Sequence, residues 1–221
     1  MKIKTLLRHN SLSIVLLVLF LLTQFGLSVA GWYQFNEDQR DHGAATQSYG
    51  QYLQSYELLE TTMENWESEF LQMYLFIVLT THLYQKGSAA SKDPDGENEV
   101  DEDPRLQAHR SDVPAPVKRG GWTLRLYEQS LGLAFLVLFL VSFYLHALGG
   151  AHAYSDEQIL HGRAPVGVWE YLGTAQFWFE SLQNWQSEFF SLALMVILTI
   201  FLRQRSSPES KPVASPHTET A

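Results

Sequence analysis

The sequence predicts an all-α membrane protein: four transmembrane helices arranged as two tandem, parallel two-helix repeats, with amphipathic outer helices. Three observations predict it. Apolar residues are 46% of the 221, yet they gather in four blocks, and a mean hydropathy of −0.11 only averages those blocks against polar segments. Each block approaches the ~20 residues that cross the apolar core of a bilayer. Finally, ENWESEFLQMYLF at 64–76 returns as QNWQSEFFSLALM at 183–195, the self-similarity of a repeat architecture.

The N-terminal segment 1–10 carries Lys2, Lys4 and Arg8 and leads into an uncharged run at 11–31. Leu27-Ser28-Val29-Ala30 before Gly31 resembles a signal-peptide cleavage site. The same layout at 130–150 is far from the N-terminus, which favours a retained helix. Residues 32–65 form a polar, acidic outer loop. The second span, about 66–85, has a short apolar core and needs residues 66–69 at the interface to reach length. Residues 89–128, with SKDPDG and VDEDP, read as a flexible linker that cannot bury enough apolar surface to fold alone. The second repeat covers 129–207, with spans at about 130–150 and 185–203 around an outer loop at 151–184, and 208–221 is a disordered tail.

The first repeat, 11–88, aligns with the second at an offset of 119 residues: Ser11 with Ser130, Gly31 with Gly150, His42 with His161, Tyr52 with Tyr171, Trp66 with Trp185. Of 15 basic residues, Arg40 and Arg163 alone fall in the outer loops. The bias places both termini and the linker in the cytoplasm and makes the repeats parallel rather than inverted.

In the first outer loop Tyr49, Tyr52, Tyr56, Leu59, Met63 and Trp66 recur at helical spacing. This amphipathic stripe reads either as an aromatic belt at the membrane surface or as a lid over a cavity. Beyond it, a continuous helix places Asn65, Ser68, Glu69 and Gln72 on one face, as it does Asn184, Ser187, Glu188 and Ser191. Polar stripes avoid lipid and point into a bundle. Two readings remain open: Glu69 and Glu188 form a pair that holds a proton or cation, or the motif is helix-end and interhelical hydrogen bonding.

His42 and His161 follow acidic pairs in the outer loops and form a candidate outer site for a metal, although His-Gly more often makes a turn and no HxxxH or HxH spacing accompanies them. His82 and His146 lie at different depths and read as isolated packing residues rather than haem ligands. Without cysteine there is no thiolate chemistry, and a net charge of −9 argues against nucleic acid. Nucleotide-binding, hydrolase and zinc-protease fingerprints are missing. No catalytic residue, cofactor or metal is assigned.

The segments SLSIVLLVLFLL, NEDQRDHG, ENWESEFLQ, QKGSAASKDPDG, KRGGWTLRLYEQSL, FWFESLQNWQSEF and RQRSSPESKPV resemble those of a family of uncharacterised bacterial membrane proteins, a domain-of-unknown-function family with a duplicated NWxSEF motif. The resemblance implies a bacterial cytoplasmic membrane location and no established activity. The functional expectation is a non-enzymatic, multi-pass membrane protein with a structural, accessory or envelope-stress role. The alternatives are a proton- or cation-linked transporter or channel using the Glu/Asn pair, and a membrane metalloenzyme using the outer histidines. Its expected partners are the lipid bilayer, a second copy of itself and an unidentified membrane protein.

Overall fold

The computed structural model describes residues 3–220; Met1, Lys2 and Ala221 of the expected terminal segments lie outside the described residues. Among these the chain is helical throughout its regular structure. The helices are α1 (Ile3–His9), α2 (Ser11–Asp41), α3 (Tyr49–Tyr52), α4 (Tyr56–Leu79), α5 (Ala115–Arg119), α6 (Gly121–Glu128), α7 (Ser130–Leu160), α8 (Val168–Tyr171) and α9 (Ala175–Phe201), with 3-10 turns at Glu99–Asp101 and Pro104–Gln107. Helices α2, α7 and α9 are long and apolar enough to cross a membrane. Helix α4 is not among them, because Glu57, Glu60, Glu64, Glu67 and Glu69 dilute its apolar content.

The helix ends differ from expectation. Helices α2 and α7 run ten residues past 31 and 150; at 1.5 Å per residue each is about 46 Å long, more than the ~30 Å apolar core of a bilayer. The stripe through Tyr49–Trp66 is not one helix but is broken after Tyr52 and resumes at Tyr56. Helix α4 stops at Leu79 rather than near 85. The Thr80 hydroxyl donates to the Phe76 carbonyl (2.8 Å) and the Thr81 hydroxyl to Val78 (2.6 Å), and such back-bonding competes with the helical ladder. Within the segment expected to be a flexible linker, 115–128 is largely helical.

The chain divides into two compact units, one of Met1–Thr62 with His146–Gly173, the other of Met63–Leu145 with Thr174–Ala221. In the first unit the His-Gly pairs are helix ends. Gly43 and Gly162 adopt φ of 68° and 70°, and the Ala44 and Arg163 amides each donate back to Gln39 and Gln158 at 2.8 Å, closing left-handed helix caps. The returning chain is then clasped. Asn36 donates to the Gln47 carbonyl (2.9 Å) and accepts from its amide (2.7 Å); Ser155 does the same to Val166 at 3.0 and 2.9 Å.

Two tyrosines form the heart of this unit. Tyr52 and Tyr171 are 2% and 0% exposed and lie over Gly31 and Gly150, where an added Cβ would come within 2.3 Å of the Tyr52 hydroxyl and 2.4 Å of Tyr171 Cε1. Burial, reinforced by the Glu57 charge, pushes the Tyr52 phenol from its ordinary 10.0 up to about 12. The folded state favours the neutral phenol, so this contribution to stability is whole below pH 10.0 and is lost as pH rises toward about 12. Ultraviolet titration of phenolate should therefore show a late-ionising tyrosine that is lost in Tyr52→Phe; an unchanged titration curve in that variant would contradict the packing.

In the second unit Phe143 meets Phe177 edge-on at 5.4 Å and Phe139 meets Trp185 at 6.5 Å. Thr174 caps α9 by accepting from the Phe177 amide at 3.2 Å. Beyond α4 and α9 the chain makes two alike turns: the Gln85 amide donates to Ser91 Oγ (2.8 Å) and the Gln204 amide to Ser210 Oγ (2.9 Å). The tail expected to be disordered packs here through Lys211, which is 2% exposed and donates to the Pro216, His217 and Glu219 carbonyls at 2.7–3.2 Å.

Candidate functional site

The polar residues that the sequence grouped do not all face inward. On α4, Ser68 and Gln72 are buried, but Asn65 and Glu69 are exposed, and the fully buried acid is Glu67, 0% exposed. At 100° per residue, Glu69 lies roughly 200° around the helix from Glu67, so the two cannot share a face. The buried face is rotated by roughly a quarter turn from the expected one and carries Glu64, Glu67 and Ser68.

In the second unit this face is matched by α9. Ser181, 0% exposed, donates its hydroxyl to Glu67 Oε1 at 2.8 Å. Asn184 Nδ2 donates to Glu64 Oε1 at 2.6 Å. Lower down, Gln72 Nε2 donates to the Glu188 carbonyl at 2.7 Å and reaches Ser191 Oγ at 3.4 Å, and the buried Ser88 and Thr199 hydroxyls meet at 2.9 Å. Of the grouped residues, then, Ser68 is buried and Asn184 is engaged; Ser187 is exposed and its hydroxyl turns back to Asn184's carbonyl. Glu69 and Glu188 form no hydrogen bond with each other; the backbone of Glu188, not its carboxylate, is what Gln72 grips.

Two carboxylates bonded by a hydroxyl and an amide make a site suited to a proton or a small cation. An ionised acid without water needs such donors or a counter-ion, and Ser and Asn supply oxygen and nitrogen atoms that can reorient when the carboxylate is protonated.

The first unit holds a separate polar cluster. Tyr171 donates to Glu60 Oε1 at 3.0 Å, and a Glu60 oxygen lies within 4.8 Å of a ring nitrogen of His146, which is 0% exposed. His152 stacks on Tyr56 with centroids 3.9 Å apart. His146 is therefore a packed residue of a polar cluster, whereas His82 is exposed in the turn after α4.

His42 and His161 come together, with ring centroids 6.1 Å apart. Each Nδ1 donates to its own helix, to the Asp38 carbonyl at 2.8 Å and the Glu157 carbonyl at 2.9 Å. These bonds make them helix-end residues. Among the described residues no cluster of three metal-ligating side chains includes either.

Sequence reasoning missed Glu60, Glu64 and Glu67 because it looked for residues present in both halves. Their counterparts 119 residues on are Phe179, Gln183 and Gln186. The signal was the spacing of 60, 64 and 67, which puts three acids on one face of a helix.

No curated protein and no solved structure matches this chain. One family's sequence profile matches residues 3–221, under the description "domain of unknown function". An all-helical chain with three helices apolar enough to cross a bilayer, it belongs to that family, DUF6766.

Proposed function

We propose that this is a non-enzymatic integral membrane protein whose half-buried Glu64 and buried Glu67 hold a proton or small cation between α4 and α9. The observation that carries this reading is Glu67, wholly buried and hydrogen-bonded by Ser181. Ionisable groups are costly within a bilayer and mark ion or proton pathways when they persist there. In this reading α4 is a fourth span, which shields its acids by facing α9 rather than lipid.

The exposed apolar side chains on α2, among them Leu12, Leu17, Leu21, Leu22 and Phe25, support a lipid-facing surface. Matched helix bounds, caps and clasps at a spacing of 119 residues support a duplicated two-helix unit with parallel topology. The distribution of Lys and Arg supports a cytoplasmic placement of both termini and the linker, in a bacterial cytoplasmic membrane as the resemblance implies. A second copy is the natural partner for the remaining apolar surface.

The test is proton or cation uptake into liposomes carrying the full-length protein, driven by an imposed potential. Uptake is expected above that of empty liposomes and should fall to that background in Glu67→Gln. Uptake equal to background in the wild type, or unchanged in Glu67→Gln, overturns the reading in favour of a structural polar clamp.

A further inference from the structure

In the segment 86–128 most cations are neutralised by the chain itself. Lys86 pairs with Asp95 at 2.5 Å, Lys92 with Asp101 at 2.8 Å, Arg105 with Asp103 at 2.8 Å and Arg110 with Asp112 at 2.7 Å. The Arg105 and Arg110 side chains hold the Asp103 and Asp112 carboxyls below the usual range. Lys118 donates to the Ser111 carbonyl at 2.6 Å. Among the described lysines and arginines of this segment, only Arg119 and Arg125 form neither an ion pair nor a hydrogen bond through their side chains.

These two arginines flank an unusual helix. Leu124 anchors α6 at 4% exposure, while Trp122 and Leu126, four residues apart and so on one face, are 74% and 50% exposed. Arg125 borders that face, Tyr127 is 45% exposed, and Arg119 ends α5 one residue before the Gly120 break. The next helix, α7, is apolar enough to span. An exposed tryptophan beside free guanidinium groups, immediately before an apolar helix, has the chemistry of the headgroup layer.

We propose that α6 with Arg119 is a docking surface for anionic phospholipid headgroups. Arg119 and Arg125 bind the lipid phosphate by charge-assisted hydrogen bonds, while Trp122 and Leu126 enter the acyl boundary. Charge complementarity selects this occupant: Asp95, Asp101, Asp103 and Asp112 are paired with Lys86, Lys92, Arg105 and Arg110, which leaves the exposed guanidinium groups of Arg119 and Arg125 to an anion from outside the chain. The proposal rests on the reading that α7 crosses the membrane, which places α6 at the interface.

The test uses full-length protein in phosphatidylcholine bilayers containing spin-labelled phosphatidylglycerol or spin-labelled phosphatidylcholine, and measures the association of each lipid with the protein. Wild type should prefer phosphatidylglycerol. The preference should fall by roughly fivefold for each of Arg119→Ala and Arg125→Ala, survive Arg119→Lys/Arg125→Lys, and be unaffected by Arg105→Ala/Arg110→Ala. A preference unchanged in Arg119→Ala/Arg125→Ala, or reduced equally by the Arg105 and Arg110 changes, overturns the proposal even though the protein stays in the bilayer. Release of the protein from neutral vesicles by alkaline wash would overturn the spanning of α7, and the proposal with it.

Discussion

Gly149→Val should be the most damaging single substitution in the first compact unit, abolishing its cooperative unfolding transition or lowering stability by about 3 kcal/mol or more. A Cβ at this position would stand 2.8 Å from the Glu60 amide nitrogen, 3.1 Å from its Cα and 3.2 Å from the Tyr56 carbonyl. All three atoms are backbone, so no rotamer change relieves the clash, and α7 and α4 would have to separate. Small residues at helix crossings allow this close approach in the membrane. Gly150→Ala should act through a side chain instead. Its Cβ would lie 2.4 Å from Tyr171 Cε1, displacing the ring and breaking the hydrogen bond to Glu60. Gly26→Ala is the control: nothing lies within 4 Å, and removing a mid-helix glycine should stabilise by roughly 0.5–1 kcal/mol. Denaturant titration of the purified protein followed by helical circular dichroism checks all three. Equal midpoints for Gly149→Val and wild type would refute the crossing.

The second large effect is expected at Glu67 and Ser181. Ser181→Ala removes a buried donor and leaves a carboxylate short of a partner, at a cost of about 1–3 kcal/mol. Glu67→Ala strands the Ser181 hydroxyl and opens a cavity where both sites are 0% exposed. Replacing both with apolar residues of similar volume, as in Glu67→Met/Ser181→Ala, should recover most of the loss, because neither polar group is then left unsatisfied. A double-mutant cycle measures this directly. The coupling should exceed roughly 0.5 kcal/mol, and additive effects would mean that the 2.8 Å bond contributes nothing. The proton- or cation-binding role predicts a divergence: Glu67→Met/Ser181→Ala folds well and carries no flux.

Much of the helical layout was legible from residue pattern. The apolar runs at 11–31 and 130–150 lie inside α2 and α7, and the run at 185–203 lies in α9 except for its last two residues. The His-Gly turns were equally legible, since glycine after a helix accepts the left-handed conformation at low cost. Boundaries were less so. Apolar content marks where a helix meets lipid, whereas the helix itself continues until a cap stops it, which is why α2 reaches Asp41 on polar residues such as Asn36 and Asp38.

The candidate site was half legible. The sequence singled out a stretch of α4 and α9 in which Ser68 is buried and Asn184 and Glu188 are half-buried. Matched copies drew attention to Glu69 and Glu188, whereas the half-buried Glu64 and the buried Glu67 have glutamines at the corresponding positions 183 and 186.

Helical character and bilayer-length apolar runs follow from composition and local spacing, because the backbone must satisfy its own hydrogen bonds and each side chain's preference acts over a few residues. The rotation of α4 about its axis does not. It is settled by which side chains of α9 lie opposite, and a turn of roughly 100°, one residue, exchanges an exposed acid for a buried one. Only the packed structure therefore decided that Glu67, and not Glu69, is the carboxyl group that leaves water.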